Sequence, residues 1–108
     1  MTTLSTHVLD TERGVPAAGV HVTLCRDTQV LAEAQTAPSG RIADLGGGSL
    51  GTGAYRLVFD VGAYLQAQGR DAPFLQRVTI EFNIDSAQEH YHVPLLISAY
   101  ACTSYRGS

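Results

Sequence analysis

Residues 20–26 read VHVTLCR, with Val20, Val22 and Leu24 on one phase and His21, Thr23 and Cys25 on the other. Side chains of an extended strand alternate between its two faces, so this pattern is that of a strand with one face buried. The pattern recurs on both sides. LSTHVLD (4–10) sets Leu4, Thr6 and Val8 against Ser5, His7 and Leu9; AYRLVFD (54–60) sets Tyr55, Leu57 and Phe59 against Arg56, Val58 and Asp60. VLAEAQT, RVTIEFNI, EHYHVPLLIS and AYACTSY extend the series, and Gly, Pro, Asp and Ser clusters such as TERGVPAAG, APSG and GGGSLGTG separate the segments. With a short piece around Arg41 this makes about eight strands, the signature of an antiparallel β-sandwich or barrel.

One helix interrupts the strands. Asp60 is placed to cap VGAYLQAQ, Ala63, Tyr64 and Ala67 share a face, and Gly69 stands where a left-handed terminating residue is wanted. Pro94 has no amide donor, which predicts a bulge or an edge beside His92.

Composition narrows the function. The 108 residues are 44 % hydrophobic with a formal charge of −3. That is enough for a single domain over 1–108 that buries roughly 65 % of its extended surface without disulfide or metal. Seven Lys and Arg give no basic field, so nucleic acid is not an expected partner. The longest apolar run, VPLLI, is too short to cross a bilayer. MTTLSTHVLD lacks the features of a secretory signal, and RGS is not the peroxisomal SKL ending, so a cytoplasmic protein is expected. Cys25 and Cys102 make no C-x-x-C pattern and read as reduced thiols.

The chemistry-bearing residues leave several alternatives open. His90 and His92, two apart in EHYHV, share a face of a strand. Such a pair can chelate a metal, supply a general base, or simply be solvated; a zinc site needs further ligands that the spacing does not supply. His7 alone reads as a half-buried histidine, Arg41 in PSGRI as a turn arginine, and Tyr105 and Arg106 as the closing residues of an edge strand. No G-x-S-x-G elbow and no phosphate loop is present. Local spacing does not name a reaction.

The whole pattern does. LSTHVLDTERGVPAAGV, SGRI, YRLVFD and HYHVPLLISAY, followed by YRGS, resemble the 5-hydroxyisourate hydrolases of the transthyretin-like family, in order from Leu4 to Ser108. The resemblance implies an all-β transthyretin-like sandwich of two four-stranded sheets with one short helix. It also implies a homotetramer with active sites in the channel between dimers. The implied reaction is cofactor-free hydrolysis of a purine-derived small molecule: water attacks C6 of 5-hydroxyisourate and the C6–N1 bond breaks, giving 2-oxo-4-hydroxy-4-carboxy-5-ureidoimidazoline. The matched catalytic positions are His7, Arg41, His92 and Ser108, with His7, Arg41, Tyr105 and Arg106 binding substrate and no metal taking part. The competing function on the same sandwich is a non-catalytic ligand carrier like transthyretin itself, which lacks the histidine–arginine–histidine set and the YRGS ending. The chain departs from the family at Ala99 and Cys102, where a proline and an aromatic are usual, and in FLQ (Phe74–Gln76), where FFP is usual.

Overall fold

The fold is described from a computed structural model covering residues 2–47, 50–85 and 90–107. In chain order the elements are β1 (Thr3–Asp10), β2 (Val15–Pro16), β3 (His21–Arg26), β4 (Gln29–Gln35), β5 (Arg41–Ile42), β6 (Gly53–Asp60), α1 (Val61–Ala67), β7 (Arg77–Ile84), β8 (His90–His92), β9 (Leu95–Ile97) and β10 (Cys102–Ser104). One sheet has the order β4-β3-β6-β7 and is antiparallel throughout.

The other sheet contains six segments, but they occupy four positions: β10, then β8 and β9, then β1, then β5 and β2. β8 runs parallel to β1 over Thr3–Ser5, and β9 does so over Val8–Asp10. They are one strand interrupted at Val93–Pro94. The missing proline amide breaks the ladder there, while the amide of Val93 still reaches the Ser5 carbonyl at 3.0 Å. On the far edge of β1, β5 pairs with Thr6 and His7, and β2 pairs with Leu9 and Asp10. The four-stranded expectation holds in this form. β2 falls inside TERGVPAAG, which alternation alone reads as a break.

The inward phases predicted from alternation make the core. Leu4, Val8, Val20, Val22, Leu24, Leu57 and Phe59 are fully buried, with Tyr55, Leu95 and Ile97 beside them. Cys25 is also buried, against its phase, because the β3–β4 register shifts between Leu24 and Cys25. The helix is capped as expected, with Asp60 Oδ1 accepting from the amide of Ala63 at 3.1 Å and Gly69 at φ +70°. Its buried face is Val61, Gly62, Tyr64 and Leu65; Ala63 and Ala67 face water, so the face expected from alanine spacing is displaced by one position.

Asp10 joins helix to sheet. Its carboxylate, 1 % exposed, accepts hydrogen bonds from Tyr64 Oη at 2.8 Å, Arg70 Nη1 at 2.6 Å, and the amides of Glu12 and Arg13. Burial alone pushes its pKa up, but the bonds from Arg70, Tyr64 and the Arg13 amide outweigh that and hold it below the ordinary carboxylate value. A lowered folded pKa stabilises the native state above the unfolded pKa, and that contribution disappears as pH falls through the folded value. Asp10→Ala removes the buried partner of Arg70 at the helix end and leaves it only Glu12 and Gln68. The expected cost is roughly 3 kcal/mol, the low end for a broken buried pair because Arg70 still reaches water. Calorimetry should show a melting temperature lower by about 10–20 °C; a fall of only 1–2 °C would remove the network from the stability of the fold.

Candidate active site

Alternation places Thr3, Ser5, His7 and Leu9 on the outer face of β1, opposite the core phase. The ladders then fix their neighbours. In the antiparallel pairing with β5, His7 stands across from Arg41; in the parallel pairing with β8, Ser5 stands across from His92. Side chains directly opposite in a ladder lie about 5 Å apart at Cβ. Two imidazoles and a guanidinium, distant in sequence, therefore share one patch of sheet.

The turn before β5 is shaped to reach this patch. Gly40 has φ +78°, and a Cβ there would lie 2.5 Å from the Val8 carbonyl oxygen and 3.2 Å from Cδ2 of His7. Only glycine combines that conformation with that approach. The turn delivers the Ser39 carbonyl to Nε2 of His7 at 2.9 Å. A carbonyl only accepts, so Nε2 of neutral His7 carries the proton and Nδ1 is its free acceptor.

His92 is held from two sides. Nδ1 bonds Ser5 Oγ at 2.7 Å, which leaves Nε2 for chemistry. The amide of Gly107 donates to the His92 carbonyl at 2.7 Å, forming an isolated antiparallel bridge. Burial lowers the pKa of His92 below the usual imidazole value, and the charges of Arg41, His7 and His90 lower it further. At neutral pH the ring is unprotonated and able to take a proton.

His90 shares this face, as the two-residue spacing predicts, and bonds Ser5 Oγ through Nε2 at 2.8 Å. Among the described residues no three His, Cys, Asp or Glu side chains converge as metal ligands. Sequence reasoning saw the two histidines but not the serine between them. The available signal was that Ser5 precedes His7 by two, as His90 precedes His92.

Tyr105 and Arg106 lie elsewhere. The Arg106 guanidinium stacks over the Tyr91 ring at 4.1 Å, and Tyr91 alternates to the inner face of β8, away from His90 and His92. Both tail residues line a cleft of about 520 Å³ at the open edge between the sheets, with Ile80, Phe82, Cys102 and Ser104. This cavity is not where the histidines gather; the imidazole–guanidinium patch is on the opposite face of the same strand. Ser108 lies outside the described residues. Of the family departures, Cys102 lines the cleft, Ala99 is buried and Phe74 stacks on Tyr100 at 6.3 Å. None of the three belongs to the patch.

Comparison with known proteins gives the family of the chain. The profile of the HIUase/Transthyretin family matches residues 4–107. A 5-hydroxyisourate hydrolase of Caulobacter vibrioides is 44 % identical over 115 residues, covering all of both chains. The structure of Klebsiella pneumoniae 5-hydroxyisourate hydrolase superposes with a TM-score of 0.92 at 42 % identity, again over all of both chains. Sea bream transthyretin in complex with thyroxine superposes with a TM-score of 0.88 at 28 % identity, over 96 % of this chain and 93 % of that one.

Proposed function

The chain belongs to the HIUase/Transthyretin family, and from that premise we propose that the patch of His7, Arg41 and His92 is where it hydrolyses 5-hydroxyisourate. The observation that carries the site is the convergence of the three side chains through two ladders that meet on β1. The chain is a hydrolase, and 2-oxo-4-hydroxy-4-carboxy-5-ureidoimidazoline is its product.

His92 takes a proton from water at Nε2, and the hydroxide adds to C6. The negative charge that develops on the C6 oxygen falls to Arg41, whose planar fork of donors stays charged throughout. The C6–N1 bond then breaks as N1 takes the proton held at His92 Nε2. His7, turned by Ser39, positions the ring or shares in the proton transfer through Nδ1. Ser108 orients water from the tail, and Tyr105 and Arg106 serve substrate binding by anchoring that tail. A carrier needs no base of lowered pKa beside a guanidinium, so the patch favours hydrolysis over carriage.

The test is the ultraviolet decay of 5-hydroxyisourate generated by urate oxidase. The protein should accelerate it well beyond the spontaneous rate; equal rates would remove the enzyme reading. Two Arg41 variants separate its fork from its charge. Arg41→Lys should lose about tenfold or more in kcat/KM with the acid limb of the pH profile unmoved, because the charge remains. Arg41→Gln should lose as much and move that limb to higher pH, because one of the charges lowering the His92 pKa is gone. An acid limb that stays put in Arg41→Gln would separate His92 from Arg41.

The assembly proposed is a cytoplasmic homotetramer of single-domain chains, residues 1–108. Leu9 and Leu96, paired on the outer face beside the polar patch, are half-buried in the monomer. A second copy would cover them and close the patch into a channel. Sedimentation should give four chains per particle at micromolar concentration, and an active monomer would contradict the channel.

A further inference from the structure

Ser5 Oγ touches two imidazoles at once, Nδ1 of His92 at 2.7 Å and Nε2 of His90 at 2.8 Å. Nδ1 of His90 in turn bonds Thr3 Oγ1. These contacts make a continuous file, His92–Ser5–His90–Thr3, that runs along the outer face from half-buried His92 to exposed His90.

A hydroxyl has one proton and two acceptor lone pairs, and a neutral imidazole has one N–H, so the file has three consistent polarities. In one, His92 Nδ1–H donates to Ser5, Ser5 donates to His90 Nε2, and His90 Nδ1–H donates to Thr3. In the second every bond is reversed, and His92 carries its proton on Nε2; in the third Ser5 accepts from both imidazoles and Thr3 donates to His90 Nδ1, which leaves no proton aimed from Ser5 at His90. Only the first polarity both leaves His92 Nε2 with a free lone pair, which a base acting there requires, and aims the Ser5 proton at His90.

We propose that Ser5 and His90 are positioning residues for His92: they hold it in the Nδ1-protonated form and share the proton it gains. The proposal rests on the reading of His92 as the base. When water gives a proton to Nε2, the Nδ1 proton passes to Ser5 Oγ as the Ser5 proton passes to Nε2 of His90. The positive charge then sits on His90. When N1 leaves, it takes the Nε2 proton, and the file runs back: His90 returns its Nε2 proton to Ser5, and Ser5 returns one to His92 Nδ1. Across the cycle water supplies hydroxide to C6 and one proton to N1, and the file is unchanged. His90 suits the charged stage because it is exposed to water, whereas His92 is half-buried beside Arg41 and His7.

The experiment combines kinetics with ¹⁵N-histidine spectra of the full chain. Ser5→Ala and His90→Phe should each lower kcat by roughly 10–100-fold, the scale on which outer partners of a functional imidazole act. KM should change little, and Ser5→Thr, which keeps the hydroxyl, should recover most of the rate. In the unaltered protein the His92 signals should be those of the Nδ1–H form, shifting toward Nε2–H in Ser5→Ala. A His92 already protonated on Nε2, or a Ser5→Ala variant within twofold of normal kcat, would overturn the file. His92→Asn separates the two ideas. If it is inactive while Ser5→Ala and His90→Phe are active, only the file fails; if it is itself active, the base reading fails.

Discussion

His92→Asn is expected to lower the turnover of 5-hydroxyisourate by about 10²–10⁴-fold, the range of a single general acid–base contribution. Asparagine keeps a donor near the position of Nδ1, so the bond to Ser5 can persist and β8 should stay in register. What it lacks is any nitrogen that takes a proton near neutral pH. The native ring is suited to that task because burial and the charges of Arg41, His7 and His90 lower its pKa, so little of it is protonated at neutral pH. The acid limb of kcat/KM should accordingly lie below the ordinary imidazole value. His7→Asn should also lose activity, because its ring is oriented by the Ser39 carbonyl for use rather than for packing. Circular dichroism and melting should barely change in either variant, since neither side chain belongs to the core. A loss of less than tenfold in His92→Asn would move the base elsewhere.

How much of this the sequence discloses depends on the range of the interaction. Strand faces are local, so Leu4, Thr6 and Val8 could be assigned inward and Ser5 and His7 outward from alternation alone. Asp60 and Gly69 marked the helix because capping is set by a few adjacent residues. The helix face was less legible: a seven-residue helix of mostly small side chains has two nearly equivalent stripes, and packing of Tyr64 and Leu65 against the sheets decides between them. The site is non-local. That His7 meets Arg41, and Ser5 meets His92, follows from ladder registers between segments 34 and 87 residues apart, and no local pattern encodes a register between distant strands. Family resemblance named His7, Arg41 and His92 because it carries the register implicitly. It did not separate tail residues by face. Tyr105 and Arg106 sit adjacent in YRGS, yet the Arg106 guanidinium follows Tyr91 to the inner side of β8 while Gly107 joins the His92 backbone.

That last contact makes the tail vulnerable at its smallest residue. Gly107 has no positive φ to require glycine; what it lacks is room. A Cβ there would lie 2.5 Å from Cδ2 of His92 and 3.1 Å from its Cγ, inside the closest approach of real side chains. In Gly107→Ala either the His92 ring turns away or the tail lifts from β8. If the ring turns, it gives up the 2.7 Å bond to Ser5, and with it the aim of Nε2. If the tail lifts, the 2.7 Å bond from the Gly107 amide to the His92 carbonyl is lost, and with it one of the two holds on His92. A displacement of about 1 Å at a reacting group costs on the order of 10²-fold, so either route should produce a loss of that size. The fold should survive both. The tail adds little to the core, and its stacking of Arg106 on Tyr91 contributes about 1 kcal/mol. Deleting Tyr105–Ser108 gives the benchmark: the alanine variant should be nearly as impaired as the truncated chain, with both retaining a native circular dichroism spectrum. Turnover by Gly107→Ala within threefold of normal would mean that His92 is held by Ser5 alone and that the tail merely passes by it.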